Sequence, residues 1–321
     1  MTASVSIDGK RPQLPRELQQ KSGLGAALFV GFATALWLIP AAFAFWLATD
    51  APWPAWARVV AWLPTCLIAG QGLHLLGWVG HEGFHFNLHD NKRVSAVIGT
   101  LFSSMIIGFM QIGASISHKT HHARTNQPGD PDIEIFRQFR TFTSRLLLGR
   151  VTCNRIYLRN TARMLAGREF PEYWARPPFR WPTMRRFALL NVVASLTFLA
   201  LYLRIAWAHP FGALAAIGAT HLTAVLYTGL RSYVEHAGTK PGEFVDSRTR
   251  TAPFFAVWYY FNNYHLEHHL YPSIPCYRLP AVHTWLRANG YFDRADVPIE
   301  PTVVGAYAYT LGNHQYPEAP A

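Results

Sequence analysis

The chain has 321 residues, of which 50% are hydrophobic and only 15% charged, a balance that argues against an ordinary soluble domain and points to a membrane. Lys and Arg total 29 against 18 for Asp and Glu, a net charge of +11, yet the basic residues mostly avoid the apolar stretches and gather between them, with Arg58 and Arg204 near span ends as exceptions. That pattern is a membrane orientation signal, so no nucleic acid partner is expected; Cys66, Cys153 and Cys276 form no CxxC pair, so neither a disulfide framework nor a thiolate zinc site is expected.

In chain order, residues 1–22 form a basic N-terminal segment with Lys10, Arg11, Arg16 and Lys21. The apolar stretch 23–48 is too long for a cleaved signal and, at about 1.5 Å per residue, long enough to cross a hydrocarbon core of about 30 Å. A turn with Asp50, Pro52 and Pro54 leads to a second apolar run, 57–80, which completes a helical hairpin. Residues 94–117 are also apolar. If the histidines on either side of them share one site, this run must be re-entrant or lie along the interface. The Arg-rich stretch 119–186 is cytoplasmic by the positive-inside rule. Residues 187–208 and 211–230 form a second hairpin, and the chain from Arg231 returns to the starting side.

The expected fold is therefore all-α: an integral, multi-pass membrane protein with four transmembrane helices in two hairpins, a re-entrant or interfacial helix and a cytoplasmic helical cap. Both termini and every dense histidine cluster fall on the cytoplasmic side. The expected division is 1–22, a catalytic membrane domain over 23–296, and a loosely packed tail over 297–321, marked by Pro298, Pro301, Pro317, Pro320 and Gly312-Asn313.

Three clusters stand out: His81-Glu82-Gly83-Phe84-His85, His118-Lys119-Thr120-His121-His122 and His265-Leu266-Glu267-His268-His269. On composition alone an HxxHH pattern arises roughly 0.03 times in such a chain, so its two occurrences are not accidental. Residues three and four apart share a helix face, which lets each cluster aim several imidazoles at one point. Imidazole suits iron, copper, nickel and zinc, and eight such groups exceed the needs of one tetrahedral zinc, so two metals are expected. His236, just after the fourth span, is a candidate ninth ligand, with a capping or surface role as the alternative. Asp130, Asp132, Glu235, Glu267 and Glu82 are the carboxylates available to accept the remaining imidazole N–H groups, or else plain helix-end charges. His74 and His221, inside spans, suit hydrogen-bonded core roles as well as functional ones. His89, His209, His283 and His314 read as ordinary polar residues.

The box pattern resembles the membrane fatty acid desaturase superfamily. The likeness covers about 81–280 and extends beyond the histidines in 118–132 (HKTHHARTNQPGDPD) and 263–280 (NYHLEHHLYPSIPCYRLP). It implies a non-haem di-iron site that uses dioxygen and two external electrons to introduce a double bond into an acyl lipid or acyl thioester. Carried over by motif, His81, His85, His118, His121, His122, His265, His268 and His269 would be ligands of the two iron ions, and His236 resembles an additional ligand of the family. Some members carry a fused cytochrome b5 domain marked by HPGG, whereas this chain has only His209-Pro210-Phe211. A separate ferredoxin or cytochrome b5-like donor with its reductase is therefore expected, docked on the Arg-rich segment, although anionic lipid headgroups explain the same charge.

Hydroxylases and carotenoid ketolases of the superfamily share the pattern and are the nearer alternatives. His81 to His85 also reads as the HExxH zinc protease motif, which would leave both HxxHH clusters without a role. A non-catalytic metal-binding protein needs only the clustered imidazoles. The substrate tunnel is expected between the second and fourth spans, beside Gly70, Gly77, Gly218 and Gly229, positions that otherwise serve close helix packing.

Overall fold

The computed structural model describes residues 11–168, 170, 177–293 and 296–312. The first span, α1 (Gly23–Thr49), buries Ala26, Phe29, Ala33, Trp37, Ala41, Ala44 and Leu47 at steps of three or four residues, and Ser22 caps it by accepting the Gly25 N–H. Its other faces are apolar too, with Leu24, Leu28, Leu38 and Ile39 exposed. A helix that is hydrophobic all round belongs in lipid. α2 (Ala55–Phe84) packs back along it, and Gly72 is where the two backbones meet. A Cβ at that position would lie 2.2 Å from the Trp37 nitrogen.

α2 runs past the end of its apolar sequence, so the first histidine box rides on the last turn of a span, with His85 as the C-cap. The next apolar run is not the single element the sequence suggested. It forms α3 (Lys92–Ser103), capped by the Asn91 side chain, and α4 (Gln111–Arg124). Between them the Ser103 and Ser104 hydroxyls turn back onto the Gly99 and Thr100 carbonyls, and Gly108 takes a positive φ of 75°. At about 1.5 Å per residue α3 and α4 are only about 18 and 21 Å long, too short to cross a core of about 30 Å.

After α4 come α5 (Pro131–Phe136), a π-helical turn Arg145–Gly149 and α6 (Arg150–Leu165). The second long hairpin is α7 (Trp181–Ala208) and α8 (Ala219–His236), the latter extended backward through a π-helical turn to Pro210. These two and the first two are the four helices, among the described residues, long and apolar enough to cross a membrane. The rest is α9 (Pro253–Trp258), α10 (His265–Leu270), α11 (Leu279–Ala288) and α12 (Val303–Leu311). β1 (Thr249–Arg250) pairs in parallel with β2 (Ile299–Glu300), with Thr249 opposite Ile299.

This last pairing corrects the expectation of a loose tail. β2 is hydrogen-bonded to β1, and on α12 the Tyr309 hydroxyl donates to the Ala237 carbonyl while its ring lies 3.6 Å from the Arg248 guanidinium. Residues 313–321, which hold His314, Pro317 and Pro320, lie outside the described residues, as does Lys10.

Gly72→Ala should force α1 and α2 apart and cost about 1–3 kcal/mol, seen as a lower unfolding temperature in detergent. Gly31→Ala meets nothing within 4 Å and should be neutral or slightly stabilising. Equal effects of the two would show that the close approach at Gly72 does not hold the hairpin.

Candidate metal centre

Four elements deliver the histidines to one place. α2 supplies His81 and its C-cap His85; α4 supplies His118, His121 and His122; the end of α8 supplies His236; α10 supplies His265, His268 and His269. Two side chains tie the ends together. The Asn87 amide donates to the Pro272 and Ile274 carbonyls beyond the third box, and Thr249 of β1 accepts the Leu266 N–H at the start of α10.

The imidazoles sort into two groups. His81, His85, His118, His122 and His268 each offer a nitrogen within 4.8 Å of all the others, and so do His121, His236 and His269. His265 joins the second group, its Nε2 lying 2.9 Å from that of His236. In the first group the Nε2 atoms of His118 and His85 are 3.1 Å apart, those of His122 and His118 2.9 Å, and those of His268 and His122 3.1 Å.

Protons alone do not satisfy this arrangement. A neutral imidazole Nε2 has one in-plane lobe, holding either a hydrogen or a lone pair, yet His118 Nε2 faces two neighbours at once. A cation that collects the lone pairs resolves the conflict: two nitrogens each about 2.1 Å from one ion and at right angles around it lie about 3.0 Å apart. Both ring nitrogens of His81 and the Nε2 of His269 are buried with no hydrogen-bond partner, a cost of roughly 1–3 kcal/mol per group if nothing is bound. The residues present therefore fit a metal pair. Burial first, and then the neighbouring charged and imidazole groups, push His85, His118, His122, His265 and His269 well below the usual histidine value and His268 to about 3, so their lone pairs are free at neutral pH.

In the second group the far nitrogens are held. His121 Nδ1 donates to Asp130 Oδ1 at 2.8 Å, with Asp132 at 3.8 Å. Burial opposes a proton on His121, but these two carboxylates outweigh it and lift the ring to about 9. Asp130 is itself the N-cap of α5, accepting the Asp132 N–H, and it also accepts the Asn126 N–H. His236 Nδ1 donates to the Asp246 carbonyl at 3.0 Å. His269 Nδ1 donates to Thr125 Oγ1, whose own hydrogen goes to the His121 carbonyl. In each case the bond at Nδ1 turns Nε2 toward the metal position, and on His121 a bound metal would take the place of the Nε2 proton that the raised ring otherwise carries at neutral pH.

Among the proposed carboxylates, Asp130, Asp132 and Glu235 stand beside box histidines, the last 3.6 Å from His265 and paired with Arg231. Glu267 does not. Its carboxylate accepts from the Thr249 hydroxyl and from His283 Nδ1, which locks α10 to β1 and α11. His283 is therefore a buried structural partner, not an ordinary polar residue. Glu82 is buried 3.5 Å from His81, and its other oxygen accepts the Cys276 and Asn87 N–H groups. One oxygen of that carboxylate is thus committed to packing, and the other is buried without a hydrogen-bond partner. Sequence reasoning missed Thr125, Asp246 and Arg231, the last stacked 3.6 Å from the Trp78 ring. Thr125 lies one helical turn after His121, the only sequence signal any of the three offered.

A cavity of about 120 Å³ opens onto both groups and is lined by His81, His118, His121, His236 and His265. Gly77 lines it. Gly70, Gly218 and Gly229 do not; Gly70 abuts Thr223 and Gly229 abuts the Leu146 carbonyl, both as close helix packing. The wall also takes in α6 and the turn before α4, which the expected tunnel did not include. His74 lines the cavity while accepting from Trp78 Nε1, whereas His221 is bonded to backbone carbonyls.

The family model for fatty acid desaturases matches residues 51–301. A Delta(8)-fatty-acid desaturase from Euglena gracilis is 23% identical over 248 residues, 67% of this chain and 58% of that protein. A Delta(5) fatty acid desaturase from Caenorhabditis elegans is 29% identical over 86 residues, 26% of this chain and 19% of that protein. A beta-carotene ketolase from Paracoccus sp. (strain PC1) is 25% identical over 277 residues, 85% of this chain and 96% of the ketolase. The match thus spans less than two thirds of either desaturase and nearly all of the ketolase.

Asp130→Asn should weaken metal binding at the second group by roughly 10–100-fold, because the amide no longer holds His121 in its ligand tautomer with a negative charge. Metal-to-protein ratios after dialysis against a graded chelator measure this. An unchanged ratio would remove Asp130 from the metal's support.

Proposed function

We propose that this chain, which belongs to the fatty acid desaturase family, is an oxygen-dependent membrane oxidoreductase with a pair of iron ions. One is held by His81, His85, His118, His122 and His268 and the other by His121, His236, His265 and His269. The carrying observation is that nine imidazoles, four buried and five half-buried, converge in two adjoining groups with a cavity open to both. When bound, the iron pair with dioxygen and two external electrons supplies an oxidant able to attack an unactivated C–H bond, chemistry beyond any side chain.

The chain's own part is orientation and exclusion of water. Asp130, Thr125 and the Asp246 carbonyl fix the rings of His121, His269 and His236. Gly77, Trp78, Ile106, Ala224 and Val225 give the cavity an apolar wall along which an alkyl chain can lie. Removal of two hydrogens from a fatty acyl chain, leaving a double bond, is the reading the family favours. Ketolation is the second reading, supported by the match to nearly the whole length of the ketolase.

The orientation that the basic residues support has both termini and the metal centre cytoplasmic, with α3 and α4 folding back on that side. The electron donor is then a cytoplasmic carrier, ferredoxin or cytochrome b5-like with its reductase. Exposed Arg155 and Arg159 on α6 belong to a basic surface that suits an acidic partner.

Expression with a reductase system followed by lipid mass spectrometry tests the reaction. A product lighter by two hydrogens indicates desaturation, and one with added oxygen indicates hydroxylation or ketolation. His121→Ala and His268→Ala should each abolish product while leaving the protein inserted in the membrane; turnover at the wild-type level in either would sink the di-iron assignment. Reporters fused near Arg168 and at the C-terminus should read cytoplasmic, and one near Pro52 the opposite side. A reporter near Arg168 that reads non-cytoplasmic would mean that the 94–117 region crosses the membrane after all.

A further inference from the structure

The cavity beside the metal centre is not uniformly apolar. On α2 and α8 its wall combines Gly77, Trp78, Ala224 and Val225 with the polar His74, Thr228 and Glu235, and α6 and the start of α4 contribute Arg150, Asn154 and Gln111. The Arg150 guanidinium lies 4.5 Å from the Phe109 ring centre and, among the described residues, makes no hydrogen bond and no ion pair. Asn154 Oδ1 and Gln111 Oε1 are buried without a hydrogen-bond partner, and Gln111 as a whole is only 4% exposed. A plain methylene chain offers none of these groups anything, and enclosing them against one costs free energy for each unmet bond.

Resting on the reading of the chain as a lipid oxidoreductase, we propose that Arg150, Asn154 and Gln111 seat a neutral oxygen substituent of the substrate, a hydroxyl or carbonyl, so that the lipid oxidised here is an oxygenated one. The donor and acceptor balance carries this. The guanidinium and the amide N–H groups donate to an oxygen, and the unpartnered Asn154 Oδ1 accepts the hydrogen of a hydroxyl, whereas Gln111 Oε1 is turned against Gly80. A carboxylate fits less well, because Asp132 lines the same cavity and already offsets the charge of Arg150. The three residues bind and position; none is assigned a part in the C–H chemistry.

The test is equilibrium binding to the purified full-length protein in detergent, by titration calorimetry. The probes are a long-chain alkane, the primary alcohol, the methyl ketone and the ionised fatty acid of the same chain length. The wild type should bind the alcohol or ketone about tenfold more tightly than the alkane, the scale of one hydrogen bond to a charged donor. Arg150→Gln should bring that ratio near one with metal content unchanged, and Asn154→Leu should reduce it as a second, independent variant. Equal binding of alkane and alcohol by the wild type, tightest binding of the fatty acid anion, or a preference that survives both substitutions would each overturn the proposal. The wild-type comparison needs no variant to fold. Metal content and product formation separate this idea from the one it rests on. An alcohol preference lost in Arg150→Gln, in a protein that holds no iron and oxidises no lipid, would support the seat and sink the di-iron function. Oxidation of unsubstituted acyl chains at equal rates by wild type and Arg150→Gln would do the reverse.

Discussion

Nine imidazoles, four buried and five half-buried, facing one another, set the terms for the rest of the molecule. Their lone pairs must be kept neutral, close and convergent, although nothing between the rings themselves favours that arrangement, because two facing lone pairs repel and a nitrogen lobe serves one hydrogen bond only. The structure meets this demand from outside the cluster. A hydrogen bond at Nδ1 turns each of His121, His236 and His269 so that Nε2 points inward. The backbone on which they stand is pinned by contacts remote in sequence, such as Asn87 to the segment after the third box and Glu267 to β1 and α11.

The two groups differ in their surroundings. Asp130, Asp132, Glu235 and Asp246 lie within 4 Å of rings of the second group, and Glu235 is partly offset by Arg231 and Arg250. Among the described residues, the first group has only Glu82 at comparable range. Under the proposed reading the two metal positions are therefore electrostatically unequal, the second being better suited to a more highly charged ion. The first has one more imidazole, so ligand number and surrounding charge vary in opposite directions between the two positions.

Much of this was legible in the sequence because the signals are periodic or locally dense. The four spans follow from runs of apolar residues, and each HxxHH cluster announces itself within five positions. What could not be read depends on partners distant along the chain. Nothing near Asp246 indicates that its carbonyl will meet His236, and Glu267, flanked by box histidines, points instead toward His283. The 94–117 run misled only in looking like one element, because hydropathy does not register where a helix stops. Ser103, Ser104 and Gly108 interrupt it between α3 and α4, and they are small enough to pass for span residues. Glycines misled in the same way, since Gly70, Gly77 and Gly229 look alike in sequence and only the structure separates the one beside a cavity from those against a neighbouring helix.

The division of the cavity wall between two kinds of element bears on how a substrate enters. α2 and α8, helices long enough to lie in the bilayer, supply Gly77, Trp78, Ala224 and Val225 as well as the polar His74, Thr228 and Glu235, whereas Arg150, Asn154 and Gln111 come from α6 and the start of α4, which are not. A lipid with its oxygen seated against Arg150 would therefore have its hydrocarbon running back along α2 and α8 toward the membrane. A chain inserted by its methyl end would instead leave Arg150, Asn154 and Gln111 enclosed with nothing to bond. Since the guanidinium carries the largest desolvation cost of the three, it is the group that decides which end of the substrate leads.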